Sequence, residues 1–193
     1  MKKSEETSKK IIDTVIEMLK TNESITIKDI CKKAYINIAA VNYHFGDKDT
    51  LITLAVQQII NELKEKVVLM AEQNFESTED AIYQFVDLIY NFATEYSGAL
   101  KYMLYSEPDS PGGKSLQPLF WDKKFIDFVF EKISSLTGVS DKAELMSKYM
   151  IIVSSFMFPL LCQYAFPPDS EYSMTNEDFK KQYLAQMVKI LTT

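Results

Sequence analysis

Three helix starts and one helix stop crowd into the stretch from Thr26 to Asp47, and that spacing admits little besides short helices joined by tight turns. Thr26 with Asp29 three residues on is a T-x-x-D capping pattern, in which the two side chains satisfy backbone N–H groups that a helix start leaves unpaired. It predicts a helix over Ile27–Ala34. After Tyr35 and Ile36, Asn37 is a second cap and opens Ile38–Phe45. Gly46 is a natural terminator for that helix, and Asp47 caps the next.

The rest of the chain also reads as helix. Ile11 or Ile12, Val15, and Met18 with Leu19 recur at helical spacing, which predicts a first helix from about Glu5 to Lys20. A long fourth helix is expected over roughly Lys48–Asn74, and a fifth from Ser77 or Thr78 to about Tyr96. A shorter one follows over Gly98–Tyr105, then a Pro/Gly-rich connector from Glu107 to Ser115. Three more are expected at about Leu119–Leu136, Lys142–Phe166 and Asn176–Leu191, divided by Thr137-Gly138 and Pro167-Pro168. No stretch alternates as a strand does. With only 5 Gly and 6 Pro in 193 residues, the expected class is all-α with about nine helices. Residues 1–47 would form a three-helix head, joined through the long helix to a helical bundle over residues 48–193.

Charge narrows the possible partners. The net charge is −6, yet residues 1–48 hold 9 Lys against 7 acids while residues 49–193 hold 12 Lys against 20 acids. Only the N-terminal part suits a phosphate backbone. All 21 basic side chains are Lys, so the bidentate guanidinium contact to guanine is absent and base reading falls to Lys, Asn, His, Tyr or methyl groups. Cys31 and Cys162 lack metal-ligand spacing and read as reduced thiols of a cytosolic protein. The N-terminus MKKSEETSKK has no secretory character. Tyr149–Phe166 runs 18 residues without a charge, but Ser154, Ser155, Pro159 and Gln163 interrupt it, so a helix buried on both sides is expected rather than a membrane span.

Two short helices joined by a tight turn, with a third before them, are the sequence form of a helix-turn-helix. Ile38, Ala39 and Ala40 are small or compact enough for close approach to a groove, Val41 and Phe45 anchor the helix, and Asn42, Tyr43 and His44 give polar reach. The run TIKDICKKAYINIAAVNYHFGDKDTL, Thr26 to Leu51, resembles the signature of the TetR (tetracycline-repressor) family of transcription regulators. With the first helix the resemblance spans about a quarter of the chain. It implies phosphate contacts from Thr26, Tyr43 and Lys48, and a groove-facing side carrying Ile38, Ala39, Ala40, Asn42 and His44. With the cap Asn37, the expected DNA-contacting set is Thr26, Asn37, Ile38, Ala39, Ala40, Asn42, Tyr43, His44 and Lys48. Lys48, a cation at a helix start, makes a compact phosphate seat with the backbone N–H groups there.

Two positions depart from the family pattern. Tyr35 stands where Gly is common, at a turn that favours positive φ, and Asn42 stands where Tyr is common. Asn42 either reads an adenine edge or is an exposed residue without a contact.

Residues 83–166 hold 17 of the 24 aromatic side chains. Most must be core, but a bundle so rich in rings and Met can enclose an adaptable apolar cavity. Phe92, Tyr102, Met103, Trp121, Phe125 and Phe156 are the candidates for a site taking a small apolar or aromatic effector. The resemblance also implies a homodimer through the last two helices, with Met146, Met150, Val153, Met157, Tyr183, Met187 and Leu191 at the interface. No cofactor or metal is implied, and no nucleophile with an identifiable base points to an enzyme. The segment PDSPGGKS at Pro108–Ser115 echoes a phosphate-binding loop but has Pro where the first Gly belongs, and reads as a flexible connector. A helical adaptor, or a small helical enzyme acting on an apolar substrate, are the alternatives to a DNA-binding regulator.

Overall fold

The structure, a computed structural model, describes residues 2–22, 24–162, 170–173 and 175–192. Among them are eleven helices and no strand, and nine of the helices have eight residues or more. The expected all-α class is thus the observed one. In order they are α1 (Lys2–Leu19), α2 (Ile27–Ala34), α3 (Ile38–Phe45), α4 (Lys48–Ala71), α5 (Thr78–Glu95), α6 (Ser97–Tyr105), α7 (Pro111–Lys114), α8 (Leu116–Phe120), α9 (Lys123–Thr137), α10 (Lys142–Cys162) and α11 (Glu177–Thr192). Local side chains set most starts. Ser77 Oγ accepts the Asp80 N–H before α5, Asp141 Oδ1 that of Glu144 before α10, and Asn176 Oδ1 those of Asp178 and Phe179 before α11.

Two expectations need correction between Glu107 and Phe125. The connector is no loose loop: Ser110 caps the single-turn helix α7, whose Gly112 and Gly113 are buried. A Cβ at Gly113 would stand 2.2 Å from the Glu107 carbonyl oxygen, so the chain doubles back on itself too closely for any side chain. The helix expected to start at Leu119 is also two helices. The Asp122 carboxylate accepts N–H groups of Lys124 and Phe125 and so starts α9 afresh. The predicted end of α10 at residues 163–166, the Pro167-Pro168 break and the Cys162 side chain lie outside the described residues. No helix among the described residues is long and apolar enough to cross a membrane.

By packing, residues 1–62 with 95–121 form one compact unit, and residues 63–94 with 122–193 another. In the first, α1 packs on α2 and α6, and α2 on α3. Ile11, Val15, Leu19, Ile30, Ala34, Val41, Leu51 and Val56 are fully buried there, and Ile12 only partly, which settles the choice between Ile11 and Ile12. The tightest point is Gly98, whose N–H donates to the Lys20 carbonyl at 3.2 Å. A Cβ there would lie 2.5 Å from the Asn22 nitrogen and 2.6 Å from the Leu19 oxygen. Beside it Lys20 bridges Glu17 (3.0 Å) and Glu95 (3.2 Å), which hold its ammonium well above the usual lysine range.

In the second unit, Ile126, Val129 and Tyr149 form a core with Phe85, Phe125, Phe128, Phe130, Met146 and Val153 around it. Burial pushes the Tyr149 phenol up to about 12. Lys64 reaches Asp122 at 2.6 Å, and Lys180 reaches Asp87 at 2.9 Å and Asn91 at 2.8 Å while lying over the Tyr90 ring. Of the expected dimer residues, Met187 and Leu191 are buried within the single chain, whereas Met150 is exposed, as are Phe158 and Ile190 on the same two helices.

Pro159 lies inside α10 and has no N–H, so the Ser155 carbonyl lacks its helical donor. The Tyr183 hydroxyl, from α11, donates to that carbonyl instead. Tyr183→Phe is therefore expected to lower stability by about 1–3 kcal/mol, the cost of an orphaned acceptor. In a Pro159→Ala background, where residue 159 again supplies an N–H, the same change should cost measurably less. Equal losses in both backgrounds, read from urea unfolding, would remove this account.

Candidate nucleic-acid interface

The helix-turn-helix is built from caps that act within four residues of themselves. Thr26 Oγ1 accepts the Asp29 N–H at 3.2 Å, and Asp29 Oδ2 accepts the Thr26 N–H at 3.1 Å, completing the capping box. The Thr26 hydroxyl also donates to that carboxylate and holds it below the usual range. Asn37 Oδ1 accepts the Ala40 N–H at 2.9 Å and starts α3. Gly46, at φ 80°, ends it with an N–H to the Asn42 carbonyl, and Asp47 Oδ1 takes the Thr50 N–H at 2.7 Å. The Thr50 contacts hold the Asp47 carboxyl low as well.

The turn between α2 and α3 runs through Tyr35, at φ 58° and ψ 48°, where its N–H and that of Ile36 both reach the Cys31 carbonyl. It is the one non-glycine residue with positive φ among the described residues. The turn that the sequence marks by its family position thus keeps its left-handed geometry, and a tyrosine accepts the strain. Its side chain is 89% exposed and gains nothing by packing. Tyr35→Gly is expected to raise stability by about 0.5–1 kcal/mol, the relief of a left-handed side chain less the added freedom of glycine in the unfolded chain. A drop in the denaturation midpoint would show that Tyr35 contributes more than its conformation costs.

Val41 and Phe45 are buried and fix α3 by one face; each such burial contributes about 1.5–3 kcal/mol. The opposite arc presents Ile38, Ala39, Asn42 and Tyr43 to solvent, with Tyr43 80% exposed. Ala40 and His44 sit between the two faces and are half-buried, with the His44 ring edge-on to Tyr43 at 5.1 Å. Lys48 follows at the start of α4, its ammonium 3.5 Å from Asp49 and partly exposed. Thr26 and Asn37 are exposed, but both side chains are engaged as caps. Lys28, Lys32 and Lys33 on α2 are exposed too, and were not singled out from sequence; their i, i+4 and i+5 spacing on a short basic helix was the available signal.

The six residues proposed for an effector site are distributed differently. Tyr102, Met103 and Trp121 belong to the first unit and Phe92, Phe125 and Phe156 to the second. Phe92, Met103 and Phe156 are buried, Tyr102 and Phe125 partly so, and Trp121 is 53% exposed. The second unit holds an apolar cavity of about 260 Å³ near the end of α4, and none of the six lines it. Among the described residues no cluster of His, Cys, Asp and Glu is placed to hold a metal ion.

No protein-family model matches the chain. It is 37% identical over 62 residues to the HTH-type transcriptional regulator BetI of Stenotrophomonas maltophilia (strain R551-3), a stretch that covers 32% of each protein, so the chain spans about a third of the length of that curated relative. A crystal structure of a TetR-family transcriptional regulator from Streptomyces coelicolor superposes with a TM-score of 0.68 at 12% identity, over 95% of this chain and 80% of that one. The chain therefore has the fold of the TetR-family transcriptional regulators, and the likeness to that family recognised at Thr26–Leu51 is supported both by that fold and by a helix-turn-helix regulator related in sequence.

Proposed function

We propose that this protein is a DNA-binding transcriptional regulator, a repressor that acts as a homodimer on a pseudo-palindromic operator and is released by a small apolar or aromatic effector. The observation that carries the reading is the exposed arc of α3. An eight-residue helix held from behind by Val41 and Phe45 presents Ile38, Ala39, Asn42 and Tyr43 outward, which is the form a major-groove helix takes. Half-buried Ala40 and His44 flank that arc. Thr26, Tyr43 and Lys48 serve the phosphate backbone in this reading, with Asn37 holding the start of the reading helix. Residues 1–47 act as the DNA-reading head, and residues 48–193 bind the effector and pair the two copies. Met150, Phe158 and Ile190, exposed and apolar on α10 and α11, support pairing through those helices.

Two recognition helices in successive major grooves lie roughly 34 Å apart, which predicts half-sites about one helical turn apart centre to centre. An effector weakens binding only by preferring a different arrangement of the two heads. Selection of bound duplexes from a random library, followed by footprinting of the enriched sequence, tests the reading. A recovered palindrome bound by a dimer is expected; absence of any enrichment over random DNA would sink it.

A further inference from the structure

We infer that the cavity in the second unit is a binding site for an apolar monocarboxylic acid, with the hydrocarbon body inside and the carboxylate at Lys132. The cavity of about 260 Å³ opens to solvent on one side and is lined by the last turns of α4, the α4–α5 connection, the first turns of α5 and the second half of α9, with one side chain each from α10 and α11. Small-molecule sites are concave and mostly apolar, which is the form of this cleft. It is larger than the roughly 150 Å³ apolar cavity that admits a benzene ring, and takes a body of about ten carbons. Water is a poor occupant. The walls are side chains such as Val67, Phe85, Val129 and Ile152, and a water needs two to four polar partners.

The polar side chains at the rim decide the head group. The Ser135 hydroxyl donates to the Lys132 carbonyl and that of Thr137 to the Ile133 carbonyl, so both are turned onto their own helix. Lys132 is the one charged side chain among the described lining residues. Its ammonium lies over the Phe128 ring, 5.4 Å from the centroid, and only 3.9 Å from the exposed Glu131, a separation too long for a good hydrogen bond. At 39% side-chain exposure it is partly withdrawn from water, where an anion gains more from a cation than at an open surface. The exposed Gln73 on the α4–α5 connection is the remaining polar side chain of the lining, so a ligand with several polar groups would leave most of them buried without a partner.

That the cavity holds such an acid stands on this geometry alone; that the acid governs DNA binding rests on the proposed function, and the tests separate the two. Calorimetric titration of the full chain with decanoate, decanol and decylamine is expected to show one decanoate site per chain, decanol at least tenfold weaker, and no binding of decylamine. Lys132→Gln should bring decanoate down to the level of decanol. Ala81→Leu, which grows a side chain into the void from α5, should abolish both while leaving the helical circular dichroism intact. Should that variant fail to fold, the Lys132→Gln comparison still decides. No decanoate binding, or equal binding of acid and alcohol, overturns the assignment. Binding that leaves affinity for the selected operator unchanged removes the regulatory link and leaves the site standing.

Discussion

Gly98→Ala is expected to lower stability by about 3 kcal/mol, one of the largest losses from adding a single methyl group to this chain. The new Cβ would stand 2.5 Å from the backbone nitrogen of Asn22 and 2.6 Å from the carbonyl oxygen of Leu19, and neither is the end of a flexible side chain that can swing aside. Either α6 retreats from the end of α1, breaking the 3.2 Å hydrogen bond from Gly98 to Lys20, or the backbone distorts. For a chain of this length the loss corresponds to a fall in melting temperature of roughly 6–12 °C. Gly138→Ala is the control. Gly138 is left-handed, at φ 76°, with nothing within 4 Å of an added Cβ, so only conformation is at stake and the loss is about 1 kcal/mol. Thermal unfolding of the two variants side by side distinguishes close approach from backbone strain. Equal midpoints would mean that α1 and α6 do not meet as closely as described.

Ala39→Glu is expected to cut operator affinity at least about 100-fold while leaving stability nearly unchanged. Ala39 is exposed on α3, beside Ile38 and Tyr43 and away from buried Val41 and Phe45, so a longer side chain meets no protein atoms that it must displace. A carboxylate there would face the groove and its flanking phosphates, and like charges juxtaposed across an interface cost several kcal/mol, each 1.4 kcal/mol being tenfold. Tyr43→Ala and Lys48→Ala act differently. In the proposed complex each removes one phosphate contact, which should weaken all sequences alike, and for Lys48 the salt slope is expected to flatten by about one unit. Gel shifts at several salt concentrations check all three. If Ala39→Glu binds like the parent protein, α3 is not the reading helix, whatever the other two variants do.

Part of this molecule is legible without coordinates because its determinants are local. The Thr26–Asp29 box, the Asn37 cap, the Gly46 stop and the Asp47 cap each involve groups no more than four residues apart, so their geometry follows from the order of residues along the chain. The exposed and buried faces of α3 follow from its helical period in the same way. Tyr35 is legible in part: its place in the turn marks the strained position, but that it keeps the left-handed geometry is read only from φ. The division of the region after Leu116 into α8 and α9 is hidden in the sequence, although Asp122 is a capping residue, because Trp121, Phe125 and Val129 recur at helical spacing across it.

The aromatic residues mark the limit most clearly. Richness in rings signals burial but not against which neighbours, and Phe92, Tyr102, Met103, Trp121, Phe125 and Phe156 divide between two packed units instead of lining the cavity described in the second. That cavity draws on five helices, from Val67 to Leu191, and no periodicity within one helix reports a gap among five. The Gly98 approach and the Tyr183 bond to the Ser155 carbonyl likewise join residues far apart in the chain. The sequence by itself thus determined the helical class, the capped helix-turn-helix and the exposed face of α3, since caps and helical period act within a turn or two. Only the tertiary structure decided which aromatics are core, where the void lies and which partners meet across helices, because those depend on close packing between segments whose separation along the chain carries no such information.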